Sequence, residues 1–154
     1  MTLDFVVVYA HLMADAKDYQ PWYRYRDAIT ASAKLALADG DKALGLVDDA
    51  IAVAINEKDN RWAVKLDHHA AVIAGFLGKT ELVKRYYQES LTLSPENPVA
   101  LYGLASVAKD QGDFGPAKEY AARCHEALME GEDFLRGARL ETLEKLLKDW
   151  PVSD

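Results

Sequence analysis

The sequence predicts an all-α fold, an array of antiparallel helix pairs. Three features predict it. Apolar residues recur at steps of three and four along most of the chain. Glycines stand just past the ends of these periodic stretches, each followed within two residues by a polar helix starter. Several residues recur at a separation of 34.

The periodic stretches place eight helices near 3–16, 20–39, 42–55, 61–77, 80–93, 98–111, 114–130 and 133–148. The spacing is plain in Ala63, Leu66, Ala70, Ile73, Ala74 and Leu77. It recurs in Leu101, Leu104, Ala105 and Ala108, and in Ala117, Ala121, Cys124 and Leu128. A stripe at such steps lies on one side of a 3.6-residue helix. Phe5 to Val8 is β-branched enough for a strand, but it has no second strand to pair with, so it too is read as helix.

Gly40, Gly78, Gly112 and Gly131 are expected just past helix ends, where a left-handed residue is cheapest as glycine. Asp41, Thr80, Asp113 and Glu132 then start the next helix. Longer connectors are expected at Asn56–Asn60 and Ser94–Pro98, the latter with Asn97 as N-cap and Pro98 where its missing N–H costs nothing. A further break falls at Asp18–Pro21.

The recurrence pairs Gly78 with Gly112, Ala71 with Ala105, Ala74 with Ala108, Lys84 with Lys118, Tyr86 with Tyr120, and Ser90 with Cys124. Small residues at these places let helices approach closely. The run Leu101, Leu104, Ala105, Ala108, Gly112, Asp113, Phe114, Ala117 resembles the tetratricopeptide repeat, whose period is 34 residues. Tyr87, Ser90, Leu91, Leu93 and Pro95 fit the end of the preceding unit. Ala33, Gly40, Asp41, Ala43, Val47, Ala50 and Ile51 fit a looser upstream one. Asp67 departs from the pattern, standing where a large apolar residue is usual, and Met129 replaces the closing proline. The resemblance spans residues 26–131 and implies a right-handed α-solenoid, within one domain covering 1–154. Its units would be 26–60, 61–97 and 98–131, with an N-terminal helix at 3–16 and a capping helix at 133–148. Leu140, Leu143, Leu147 and Trp150 would form the cap's apolar face.

Composition narrows the function. With 25 acidic against 18 basic residues the net charge is −7, which argues against phosphate-backbone and anionic-membrane partners. The single cysteine, Cys124, excludes an intramolecular disulfide. The N-terminal apolar run is too short to span a membrane and lacks a basic leader, so a soluble, cytoplasmic protein is expected.

No catalytic constellation emerges, and the chain is read as non-enzymatic, with no cofactor. His68 and His69 are adjacent, so they point about 100° apart on a helix. Positions three and four from either hold Val64, Lys65, Leu66, Ala71, Val72 and Ile73, none of them suited to complete a zinc site. One of the two is expected to pack or face a groove and the other to be exposed. Cys124 falls at a small-residue packing position, where a thiol is ordinarily inert.

The resemblance implies that the first helix of each pair lines a concave groove. The inward stripes would be Asp27, Thr30 and Lys34; then Lys65, His68, Val72, Gly75 and Phe76; then Val99, Tyr102, Ser106 and Lys109. Phe76 and Tyr102 offer flat contact area, and Lys34, Lys65, Lys109 and His68 offer charge to an acidic or carboxylate-ended peptide. The family's carboxylate-clamp asparagines are absent, with Thr30, His69 and Gly103 in the places where clamp residues are wanted. The expected role is therefore a protein-protein interaction module that binds a peptide or protein segment. A structural role through self-association is the alternative, mediated by the aromatic cluster Tyr19, Trp22, Tyr23 and Tyr25. A site around His68 and His69 is a second alternative.

Overall fold

The structure, a computed structural model, describes residues 19–130. The helices expected at 3–16 and 133–148 lie outside the described residues. Among those described there are six helices and no strand. They are α1 (Tyr19–Leu35), α2 (Gly40–Asn56), α3 (Asn60–Phe76), α4 (Thr80–Leu93), α5 (Pro98–Asp110) and α6 (Phe114–Glu130). Two compact units divide between Leu93 and Ser94, so α1–α4 form one and α5–α6 the other. None of these helices is long and apolar enough to cross a membrane.

In the first unit, consecutive helices are joined by short turns and pack on one another, which makes them antiparallel neighbours. α3 is central: it packs against α1, α2 and α4. Trp62, Leu66, His69, Ala70 and Ile73 of α3 are fully buried. Burying a Leu or Ile side chain contributes about 1.5–3 kcal/mol. Neighbours on several sides bury most of this helix and blur its amphipathic stripe. That explains why both His68 and His69 are buried, where one was expected to be exposed.

α1 and α3 run parallel. Tyr25 stacks at a tilt on Trp62, 5.5 Å between ring centroids, and Ser32 Oγ meets His69 Nε2 at 2.9 Å. Both pairs are offset by 37 residues and advance in the same direction along the two helices. Tyr25 belongs to this core, with 2% of its surface exposed.

The turns repeat in atomic detail. Gly78 N–H donates to Gly75 O (3.1 Å) and Lys79 N–H to Ala74 O (2.8 Å). Thirty-four residues on, Gly112 N–H donates to Lys109 O (3.0 Å) and Asp113 N–H to Ala108 O (2.8 Å). Both glycines are left-handed, with φ of 73° and 77°. These are Schellman caps, closed by bonds that satisfy the last helical carbonyls.

The α2–α3 connection uses the same device. Lys58 N–H donates to Ile55 O (3.0 Å) and Asp59 N–H to Ala54 O (2.8 Å), with Lys58 at φ 59°. The longer connector expected at 56–60 is thus a tight turn that happens to lack glycine. Asp59 then caps α3, accepting from Trp62 N–H at 3.3 Å.

Gly40 behaves differently from its expectation. α1 ends at Leu35, and Gly40 is the first residue of α2 rather than a left-handed stop after α1. The cap is Asp39, whose Oδ1 accepts from Lys42 N–H at 3.1 Å, so Asp41 does not serve. A Cβ at position 40 would stand 2.5 Å from Leu77 Cδ1, so glycine here admits the end of α3.

The second unit is one helix pair. Leu101, Leu104 and Ala105 of α5 are buried, as are Ala117, Ala121, Cys124 and Leu128 of α6. Asn97 caps α5, its Oδ1 accepting from Ala100 N–H at 3.1 Å, and Pro98 occupies the first turn as expected. Cys124 Sγ donates to Pro98 O at 3.3 Å.

Candidate functional site: partner-binding faces and a buried polar layer

The parallel α1–α3 pair sets one candidate face. The contacts between the two helices run through Tyr25 and Ser32 on α1 and through Trp62 and His69 on α3. On α3, Lys65, His68 and Val72 precede the buried Leu66, His69 and Ile73 by one position, a rotation of about −100°, and form one stripe that Phe76 continues. On α1, Thr30 and Lys34 form a stripe of their own at a step of four, each one position after a buried residue, Ile29 or Ala33.

Their exposure differs. Lys34 is exposed, while Thr30, Lys65, Val72 and Phe76 are half-buried. Lys65 Nζ lies 4.6 Å from the Trp62 ring centroid, a cation-π contact that holds the ammonium near the α1–α3 seam. His68 offers little surface: it is 6% exposed, and its ring centroid is 6.0 Å from that of Tyr87 on α4. Asp27 leaves this stripe and borders a cleft between α1 and α2.

In the second unit, Tyr102, Ser106 and Lys109 follow one another at steps of four and three on α5. Tyr102 is half-buried and the other two are exposed. They stand 34 residues after His68, Val72 and Gly75, the same recurrence that relates the two Schellman turns.

The α1–α2 cleft of the first unit has a volume of about 430 Å³. Its lining is mostly apolar: Tyr25, Ala28 and Ala31 from α1, and Leu46, Ala50 and Val53 from α2. Among the described residues, Asp27 and Asp49 are its only charged lining residues. Val53 is 46% exposed, high for a valine in a helix interior.

Beneath these faces runs a buried polar layer centred on α3. Ser32 Oγ donates to Ile29 O (3.0 Å) and meets His69 Nε2. Burial lowers the His69 pKa to about 4, against a smaller upward pull from the Ile29 carbonyl, so the imidazole is neutral at pH 7. Both side chains are fully buried.

The other part of the layer is carboxylic. Asp67 is fully buried, and neither of its side-chain oxygens has a partner in good hydrogen-bonding geometry. Burial raises its pKa to about 9; Glu89 on α4 then favours the protonated form as neighbouring acceptor and charge, and Asp48 on α2 adds its charge. Asp48 in turn accepts from Tyr86 OH at 2.8 Å, and burial followed by that bond raises the tyrosine pKa. Among the described residues no group of three or more His, Cys, Asp or Glu is placed to hold a metal ion.

Sequence reasoning named Asp67 as a departure from the repeat but did not see its carboxylate neighbours. It missed the α1–α2 cleft altogether. The available signal was Ala28 and Ala31 on α1 with Leu46, Ala50 and Val53 on α2, two stripes at helical spacing of which the expected repeat used only Ala50.

No protein-family model matches this chain, and no curated protein matches it.

Proposed function

We propose that this chain is a non-enzymatic interaction module of the tetratricopeptide-like kind, binding an acidic peptide segment along the α1–α3 face. The observation that carries this reading is the stripe of Lys65, Val72 and Phe76 on α3, beside the parallel α1 with its Thr30 and Lys34. That face mixes apolar area with two ammonium groups. Such a surface suits a segment with carboxylates spaced between apolar side chains. The 34-residue recurrence of turn geometry supports the repeat reading, and Tyr102, Ser106 and Lys109 are the corresponding stripe on α5.

The test is fluorescence anisotropy with a panel of synthetic acidic, carboxylate-ended peptides against wild type and Lys34→Glu/Lys65→Glu. Binding that weakens at least about tenfold in the variant, and also weakens with added salt, supports the face. Equal affinity for both proteins overturns it.

A further inference from the structure

The α1–α2 pair has two sides, and the structure shows what one of them accepts. On its inner side, α3 packs against both α1 and α2. The outer side carries the open cleft of about 430 Å³. Its α2 wall, Leu46, Asp49, Ala50 and Val53, follows steps of three, one and three, a single helical seam. Opposite it, the α1 wall is Tyr25, Asp27, Ala28 and Ala31; the Tyr25 ring is turned onto Trp62, and Ala28 and Ala31 keep the rest low, so another backbone can come close and fill the space with larger side chains. This is helix-accepting geometry, the counterpart of the surface that α3 already covers.

Charge selects among helices. Among the described residues the charged lining residues are both aspartates, and Asp27 has a 94% exposed side chain, 3.5 Å from its neighbour Arg26. A second copy docking by the same face would bring like carboxylates into one interface. From these observations we infer that the α1–α2 cleft is a second docking site, distinct from the α1–α3 face, for an amphipathic helix of a partner protein with bulky apolar residues at i, i+3/i+4 and i+7 and basic residues on its flanks.

The probe is a fluorescein-labelled synthetic helix with leucines at i, i+4 and i+7 and lysines flanking them, alongside a twin with glutamates in place of the lysines. Both are titrated against the full chain by anisotropy. The lysine-flanked probe is expected to bind at least about tenfold more tightly than its twin. Ala31→Arg, which fills the cleft and offsets one of its two negative charges, is expected to abolish that binding while circular dichroism stays unchanged. Asp27→Lys/Asp49→Lys is expected to exchange the preference between the twins, a gain that damaged folding cannot produce.

Equal binding of the two probes overturns the inference, as does no binding of either. Binding that survives Ala31→Arg also overturns it, and if that binding is lost in Lys34→Glu/Lys65→Glu the probe sits on the α1–α3 face, which leaves the peptide-binding reading standing.

Discussion

Ser32 Oγ on α1 lies 2.9 Å from His69 Nε2 on α3, with both side chains fully buried. This contact crosses between two helices that are not neighbours in sequence, and it fixes their register together with the Tyr25–Trp62 stack. Because Ser32 also donates to Ile29 O, the imidazole nitrogen is placed to donate to the serine oxygen. Ser32→Ala leaves the buried ring one polar contact short. The expected cost is about 1–3 kcal/mol, the range for stranding a buried polar group. Urea denaturation checks it: an unchanged midpoint would mean that the contact adds nothing to stability.

Asp67 and His69 set opposite pH dependences. His69 has a folded pKa of about 4, below its ordinary 6.5, so the unfolded state binds the extra proton between these values and stability is lost as pH falls through that window. Asp67 is the reverse. Its folded pKa of about 9 exceeds the ordinary 3.8, so its contribution is complete below about pH 4 and is lost as pH rises towards 9. Between pH 4 and 6.5 the two slopes offset. Above 6.5 only the Asp67 slope remains, at about 1.4 kcal/mol per pH unit as an upper limit. Wild type is expected to lose stability from pH 6.5 to 9, and Asp67→Asn to hold level there. Chemical denaturation at a series of pH values decides it, and parallel profiles for the two proteins would rule out Asp67 as the source.

Cys124 reports on the second unit alone, being the chain's single cysteine, fully buried, with Sγ bonded to Pro98 O. A buried thiol reacts only when the structure around it opens. Labelling by a thiol reagent is expected to run at least about a hundredfold slower than in denaturant, the protection given by an opening cost of about 3 kcal/mol. Rapid labelling under native conditions would mean that α5 and α6 separate easily.

Much of this fold was legible because its punctuation is chemical. Gly78, Gly112 and Asn97–Pro98 announce their turns through conformations that few other residues adopt cheaply. Lys58 makes the same turn as the two glycines but gives no such signal, so the connector at 56–60 reads as longer than it is. The stripes themselves, Thr30 with Lys34 on α1 and Lys65 with Val72 on α3, are legible from spacing alone, since steps of three and four survive any packing. The burial of His68 and His69 was not, because it follows from α3 being covered on several sides. Asp67 stood out as an anomaly, yet its neighbours Glu89 and Asp48 come from helices about twenty residues away on either side, and only their packing brings the charges together.

Lys58 and the two turn glycines permit a direct test of that grammar. All three occupy the left-handed position of the same Schellman cap, with closing bonds of 2.8 Å in each. At a φ of 59° a side chain crowds its own carbonyl, which costs roughly 1–2 kcal/mol, whereas glycine adopts this region freely but loses more chain entropy on folding. The difference favours glycine, so Lys58→Gly is expected to stabilise the first unit by about 0.5–1 kcal/mol. Gly78→Ala meets no neighbouring atom within 4 Å but takes on the backbone strain, and is expected to destabilise by about 1 kcal/mol. Thermal denaturation of both variants beside wild type checks the pair. If Lys58→Gly lowers the midpoint while Gly78→Ala also does, the lysine side chain supplies a contact worth more than its strained backbone costs.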